Sequence, residues 1–122
     1  MRVLIVDDSR FIRRHLRQLL ESMGQSCEEA VDGREALDLL AQPGYFDCML
    51  LDVNMPKMSG LDCVKELREA GLQNRMKVMM VTTEADNAFI TRALEYGADE
   101  FLMKPFTPQS LREKLAMLGL AA

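Results

Sequence analysis

The sequence predicts a three-layer α/β sandwich, a parallel sheet with helices on both faces. Two observations carry that expectation. Short apolar runs alternate five times with stretches whose apolar residues recur at helical spacing. Runs such as Val3 to Val6 and Val78 to Val81 are apolar throughout, as strands covered on both faces read. Each connection is long enough to contain a helix, which implies parallel neighbours and right-handed crossovers. Strand order does not follow from this pattern alone.

Each element has its own local signal. The first strand, Val3 to Val6, runs into Asp7-Asp8-Ser9. Ile12, Leu16, Leu19, Leu20 and Met23 then mark a helix that Gly24 stops. Residues 27 to 31 are strand-like but carry Glu28 and Glu29, which suits an edge strand. Asp32 with Glu35 forms a helix-opening box, Ala36, Leu37 and Leu40 face inward, and Pro43-Gly44 end the helix. The third strand, roughly Phe46 to Leu51, leads to Asp52. Ser59 caps the next helix, with Leu61, Val64 and Leu67 inward and Gly71 closing it. Val78 to Val81 is the fourth strand, and Asp86 caps a helix through Phe89, Ile90, Ala93 and Leu94 up to Gly97. Phe101 to Met103 is the fifth strand. Thr107-Pro108 starts a last helix carrying Leu111, Leu115 and Leu118.

Composition narrows the class. A chain of 122 residues holds one domain, here taken as residues 1–122. Hydrophobic residues at 48% and charged ones at 28% describe an ordered globular chain. The formal net charge of −4 argues against direct nucleic-acid binding. No apolar run reaches membrane-spanning length and no signal-peptide layout opens the chain, so membrane insertion is not expected. Cys27, Cys48 and Cys63 lack metal spacing and read as reduced thiols of a cytoplasmic protein. The ten methionines read as core filler, since no imidazole cluster accompanies them.

The chemistry sits at the strand ends. The first strand ends in Asp7 and Asp8, the third in Asp52, the fourth in Thr82 and the fifth in Lys104. In a parallel sheet these ends share one edge, outside which such folds bind ligands. Three carboxylates gathered there repel one another unless a cation or lysine joins them, or some pKa values rise. Carboxylates with a backbone carbonyl and waters are what Mg²⁺ prefers, and Mg²⁺ is normally shared with phosphate. Lys104 and the Thr82 hydroxyl could contact phosphate oxygens. Taken singly, each group has an ordinary reading. Asp7-Asp8 can be a helix cap, Asp52 a turn aspartate and Lys104-Pro105 a loop; their joint occurrence favours function.

Together, Asp7-Asp8, Asp52, Thr82 and Lys104-Pro105 resemble the receiver domain of two-component response regulators. Val53-Asn54-Met55-Pro56 with Gly60, and Gly97-Ala98-Asp99, extend the resemblance from Arg2 to about Leu118. The family implies a flavodoxin-like sheet of five parallel strands in the order 2-1-3-4-5 with five helices. That order is a standing example for chemotaxis receivers rather than something read from this sequence. The resemblance implies that Asp52 is the phosphoacceptor and that Asp7, Asp8, Asp52 and the Asn54 backbone carbonyl bind Mg²⁺. It makes Lys104 the phosphoryl contact, Thr82 and Phe101 the switch pair, and Asn54 and Glu84 tuners of dephosphorylation. It also implies a cis Lys104–Pro105 bond. The implied donor is a histidine kinase or phosphotransfer protein. The implied output is a target protein on the face of the fourth helix, fifth strand and fifth helix, with Ile90, Leu94 and Phe101 as candidates. Such a chain is not an enzyme acting on another substrate; it catalyses only its own phosphorylation and dephosphorylation. Arg10, Arg13, Arg14 and Arg17 form a basic stripe that either docks a partner or is a solvated face, and His15 within it reads as an ordinary helix residue.

The leading expectation is a stand-alone signalling receiver of the chemotaxis or relay type, in the phosphorelay of a two-component system. A receiver cut from a longer regulator is the near alternative; Met1 beside the first strand and the Leu120-Ala121-Ala122 tail favour the former. An aspartyl-phosphate phosphatase of the haloacid-dehalogenase kind fits less well. It needs a second acid two residues after the nucleophile, where this chain has Asn54, and a nucleophile on the first strand. A flavodoxin would want a hydroxyl-rich phosphate loop where this chain has Asp7-Asp8.

Overall fold

In the computed structural model, residues 1–83 and 86–120 are described. Five strands and five helices alternate. They are β1 (Arg2–Val6), α1 (Arg10–Ser22), β2 (Ser26–Ala30), α2 (Gly33–Leu40), β3 (Cys48–Asp52), α3 (Gly60–Glu69), β4 (Lys77–Thr82), α4 (Asn87–Tyr96), β5 (Glu100–Met103) and α5 (Pro108–Met117). All pairings are parallel and the order is β2-β1-β3-β4-β5. The flavodoxin-like expectation is met.

The strands' unbroken apolar character is explained by two cores. Leu4, Val6, Met49, Leu51, Val78 and Met80 face one way, onto Ala36 and Leu40 of α2, Val64 and Leu67 of α3, and Phe89 and Ala93 of α4. Val3, Ile5, Leu50, Met79 and Val81 alternate with them and face Leu16 and Leu20 of α1 and Leu111 and Leu115 of α5. Successive strand side chains point to opposite faces, so each run must be apolar at every position.

The helix starts follow their capping signals. Ser9, Asp32, Ser59, Asp86 and Thr107 each accept a backbone N–H from the first turn. Thr107 and Ser110 complete a reciprocal box ahead of a helix whose first residue is Pro108. Gly97 closes α4 at φ 113, a left-handed conformation that a Cβ would strain.

Several boundaries differ from the sequence expectation. β2 ends at Ala30, because the Val31 N–H is taken by the Glu35 carboxylate instead of a strand. Glu35 therefore closes the α2 box on the residue before the cap, not on Asp32 itself. β3 begins at Cys48, since the Phe46 N–H goes to the Gln73 side chain, and it includes Asp52. In α3, Cys63 takes the fully buried place and Leu61 is only half-buried. Leu94, a candidate for the output surface, is 50% exposed. Glu28 and Glu29 do lie on an edge strand, and both are paired, Glu28 with Arg2 and Glu29 with Arg13 and Arg17. The three cysteines are free thiols, and burial pushes Cys48 and Cys63 up to about 12, which leaves them protonated and unreactive.

Candidate functional site

The sheet order decides which strand ends meet. β1 and β3 are neighbours, and Val6 lies opposite Leu51, so Asp7 and Asp52 leave the ladder side by side. Asp52 lies opposite Val81 of β4, which puts Thr82 one step further along the same edge. Thr82 lies opposite Met103, and Lys104 then donates its N–H to the Thr82 carbonyl at 2.9 Å.

The side chains converge accordingly. Carboxylate oxygens of Asp7, Asp8 and Asp52 all lie within 4.8 Å of one another. Asp7 and Asp52 are buried and Asp8 is exposed, so the cluster opens to solvent on one side. Lys104 Nζ reaches Asp52 Oδ1 at 3.0 Å and Asp7 Oδ2 at 3.5 Å. Asp7 Oδ1 accepts the Ser9 N–H at 2.8 Å. The Lys104–Pro105 bond is cis.

Electrostatics agree with the crowding. Burial pushes the Asp7 carboxyl above its ordinary value; the Ser9 N–H opposes this and the neighbouring Asp52 charge adds to it. Burial alone would lower the Lys104 ammonium, but the bond to Asp52 and the charges of Asp7 and Asp52 outweigh it, and its pKa is raised. One lysine thus serves two of three carboxylates. The donor set is hard oxygen with surplus negative charge, which fits a small divalent cation such as Mg²⁺.

Two groups complete the surroundings. Thr82 is buried at the end of β4. Phe101 is half-buried on β5, its ring edge-on to Phe89 of α4 with centroids 6.1 Å apart. Asn54 is exposed in the loop after β3, and Glu84 lies outside the described residues. Of the output candidates, Leu94 is exposed while Ile90 and Phe101 are half-buried against the core.

The basic stripe does not survive as a unit. Arg13 and Arg17 turn to Glu29 at 3.0 and 2.6 Å, whereas Arg10 and Arg14 are exposed. His15 stacks on Phe106 with centroids 5.2 Å apart, away from the carboxylates. Beside it, Phe11, Ile12, His15, Thr83, Lys104, Pro105 and Phe106 line an open groove of about 460 Å³ that is apolar except at His15, Thr83 and Lys104.

Two contributors escaped the sequence reading. Gly60 lies so close to β3 that a Cβ would sit 2.3 Å from the Asp52 carbonyl oxygen. Arg13 donates from Nη1 to the Asp7 carbonyl at 2.7 Å. Gly60 was visible as part of a motif, but its reason was not. Nothing in the spacing of Arg13 points to Asp7 or to Glu29.

A family described as the response regulator receiver domain matches residues 3–116. The chain belongs to that family. Its relatives include a chemotaxis protein CheY homolog of Campylobacter jejuni, 41% identical, over 94% of this chain and 89% of that protein. The chemotaxis protein CheY1 of Helicobacter pylori is 38% identical over 97% of this chain and 96% of that one. Among solved structures, the Vibrio cholerae chemotaxis protein CheY4 is 38% identical with a TM-score of 0.89, covering 96% of this chain and 97% of that chain. The chain is therefore a CheY-like receiver domain of two-component signalling, and the expected family and sheet order hold. No helix among the described residues is long and apolar enough to cross a membrane.

Proposed function

We propose that this receiver accepts a phosphoryl group on Asp52 from the phosphohistidine of a histidine kinase or phosphotransfer protein, with Mg²⁺ held by Asp7, Asp8, Asp52 and the Asn54 backbone carbonyl. The observation that carries the reading is the buried Asp52 with Lys104 Nζ at 3.0 Å and the Asp7 and Asp8 oxygens within 4.8 Å.

When bound, Mg²⁺ neutralises the carboxylates and the incoming phosphoryl oxygens. A carboxylate oxygen of Asp52 attacks phosphorus, the donor's P–N bond breaks, and the imidazole nitrogen leaves with the electron pair. Lys104 follows the charge, shifting its hydrogen bond toward the phosphoryl oxygens. Water later attacks phosphorus, the P–O bond to Asp52 breaks, and inorganic phosphate leaves. Asn54 and Glu84 tune that hydrolysis. The chain thus acts on its own Asp52 and on no other substrate.

Phosphorylation adds nearly two negative charges beside Thr82. The Thr82 hydroxyl moves to hydrogen-bond them. Phe101 gives up part of its contact with Phe89 and turns into the vacated space, which reshapes the α4–β5–α5 face where a target protein binds. This is a shift between two populations, not the creation of a new fold. Phe101 lacks a phenolic hydroxyl, so no hydrogen bond accompanies its movement.

The largely apolar groove beside Lys104, lined in part by the exposed Phe11, supports donor docking there, with the exposed Arg10 and Arg14 on the same helix. That revises the role first considered for the whole arginine stripe. The relatives' names favour a chemotaxis-type pathway. A receiver within a longer regulator also has support, since a response regulator/GGDEF protein matches over 97% of this chain but only 48% of its own.

The test is intact mass after incubation with a small phosphodonor, with and without Mg²⁺, beside Asp52→Asn. A single added phosphoryl group that requires both Mg²⁺ and Asp52 is expected. A folded protein that gains no such mass refutes the reading.

A further inference from the structure

The peptide unit between Asp7 and Asp8 joins two of the three clustered acids. Because that unit is planar, the direction of the Asp7 carbonyl also sets where Asp8 begins. Both ladders flanking β1 end at Val6, so this carbonyl lies beyond the last registered pair. Arg13 meets it from α1, with Nη1 to Asp7 O at 2.7 Å. The Arg13 side chain is only 12% exposed, and its Nε is held by Glu29 Oε1 at 3.0 Å. The other Glu29 oxygen takes Arg17 Nε at 2.6 Å. An edge-strand carboxylate thus both aims the guanidinium and offsets its charge, which otherwise would oppose a cation in the cluster.

We propose that Arg13 is a positioning residue for the acidic cluster: by holding the Asp7 carbonyl it fixes the Asp7–Asp8 peptide and so the spacing of the carboxylates that receive the divalent cation. This role rests on the reading of Asp7, Asp8 and Asp52 as an Mg²⁺ site. Arg17 supplies an internal comparison. It shares Glu29 with Arg13, sits on the same helix and touches no part of the cluster.

The experiment is a calorimetric Mg²⁺ titration of the full chain and of Arg13→Ala, Arg13→Lys and Arg17→Ala, with amide exchange of Ser9 followed in metal-free protein. Arg13→Ala should weaken Mg²⁺ binding about tenfold, as lost support behind metal ligands does. Arg13→Lys, with one donor group for two acceptors, should fall between. Arg17→Ala should stay within about twofold of the parent. Ser9, whose N–H donates to Asp7, should exchange faster in both Arg13 variants and not in Arg17→Ala. Folded Arg13 variants with parental affinity, or an equal loss in Arg17→Ala, would overturn the proposal. If Arg13→Ala does not fold, Arg13→Lys decides by the same criteria. A parent that binds no Mg²⁺ overturns the site reading itself, whereas a binding parent with indifferent Arg13 variants overturns only this role.

Discussion

Replacing Gly60 with alanine would disturb the site while leaving every charged group in place. Gly60 opens α3, and its N–H donates to the Val53 carbonyl at 2.8 Å, which draws the helix start against the end of β3. An added Cβ would lie 2.3 Å from the Asp52 carbonyl oxygen, 3.0 Å from Val53 Cα and 3.1 Å from the Asp52 carbonyl carbon. Ordinary contact begins at 3.4 Å, so the oxygen must retreat by about 1 Å. All three obstructing atoms are backbone, and two belong to the residue that carries the proposed nucleophile. No side chain can swing away to absorb the clash. Overpacking of this kind costs about 1–3 kcal/mol, offset by less than about 1 kcal/mol from replacing a helical glycine. A 1 Å misplacement of a reacting group costs roughly a hundredfold in rate. Urea unfolding should therefore show a loss of about 1–2 kcal/mol. Phosphorylation of Asp52, followed by intact mass over time, should slow by about ten- to a hundredfold. Gly24→Ala is the control. Its Cβ meets nothing within 4 Å, but its φ of +82 imposes strain far from the site. It should lose about 1 kcal/mol of stability and none of the phosphorylation rate. A Gly60→Ala protein that is phosphorylated at the parental rate would show that the packing against Asp52 does not position it.

Three further outcomes are expected. Asp7→Asn should raise the melting temperature of metal-free protein while removing most Mg²⁺ affinity; a drop in melting temperature would count against carboxylate crowding. The sign follows from Asp7's raised pKa: the unfolded carboxyl ionises first near 3.8, so stability is lost as pH climbs from there to the folded value, and the parent–variant difference should open across that window and then level off. Glu29 shows the opposite sign. Its burial is outweighed by the Arg17 and Arg13 bonds, its pKa is lowered from 4.5, and its stabilisation is present above that value and lost as pH falls through the folded pKa. Glu29→Gln should cost about 0.5–1 kcal/mol in thermal melts near neutral pH, less in high salt and nothing once the parent carboxyl is protonated. Arg68 donates to the Gly97 carbonyl from Nε and Nη2, to the Met76 carbonyl and to Asp99, tying α3 to the end of α4 and the start of β5. Arg68→Ala should cost about 2 kcal/mol in urea and leave Asp52 phosphorylation unchanged, because none of these partners touches the acidic cluster.

Much of this protein was legible before any tertiary structure. Helix caps at Asp32, Ser59, Asp86 and Thr107 were readable because a cap side chain and the backbone N–H it accepts lie three residues apart, whereas at the first helix the cap reading fell on Asp7-Asp8 and the structure gives it to Ser9. The acidic cluster was readable because parallel strands send all their carboxyl ends to one edge, whatever their order. Local pattern could not say which helices cover which face. Strands apolar at every position give both faces the same signal, and only packing assigns α1 and α5 to one side and α2, α3 and α4 to the other. Helical spacing marks a stripe on α4, but the neighbours decide how wide a stripe is covered: Phe89 and Ala93 are buried, whereas Leu94, a candidate for the output surface, is exposed. Arg13 and Arg17 looked equivalent to Arg10 and Arg14 along the helix. Glu29, twelve and sixteen residues away, separates them only once β2 lies beside β1. The steric demand at Gly60 depends likewise on how closely α3 approaches β3. The sequence alone determined which chemical groups reach the site, because that depends on residue type at strand ends. The tertiary structure decided what holds them there, because those contacts join segments that only the sheet brings together.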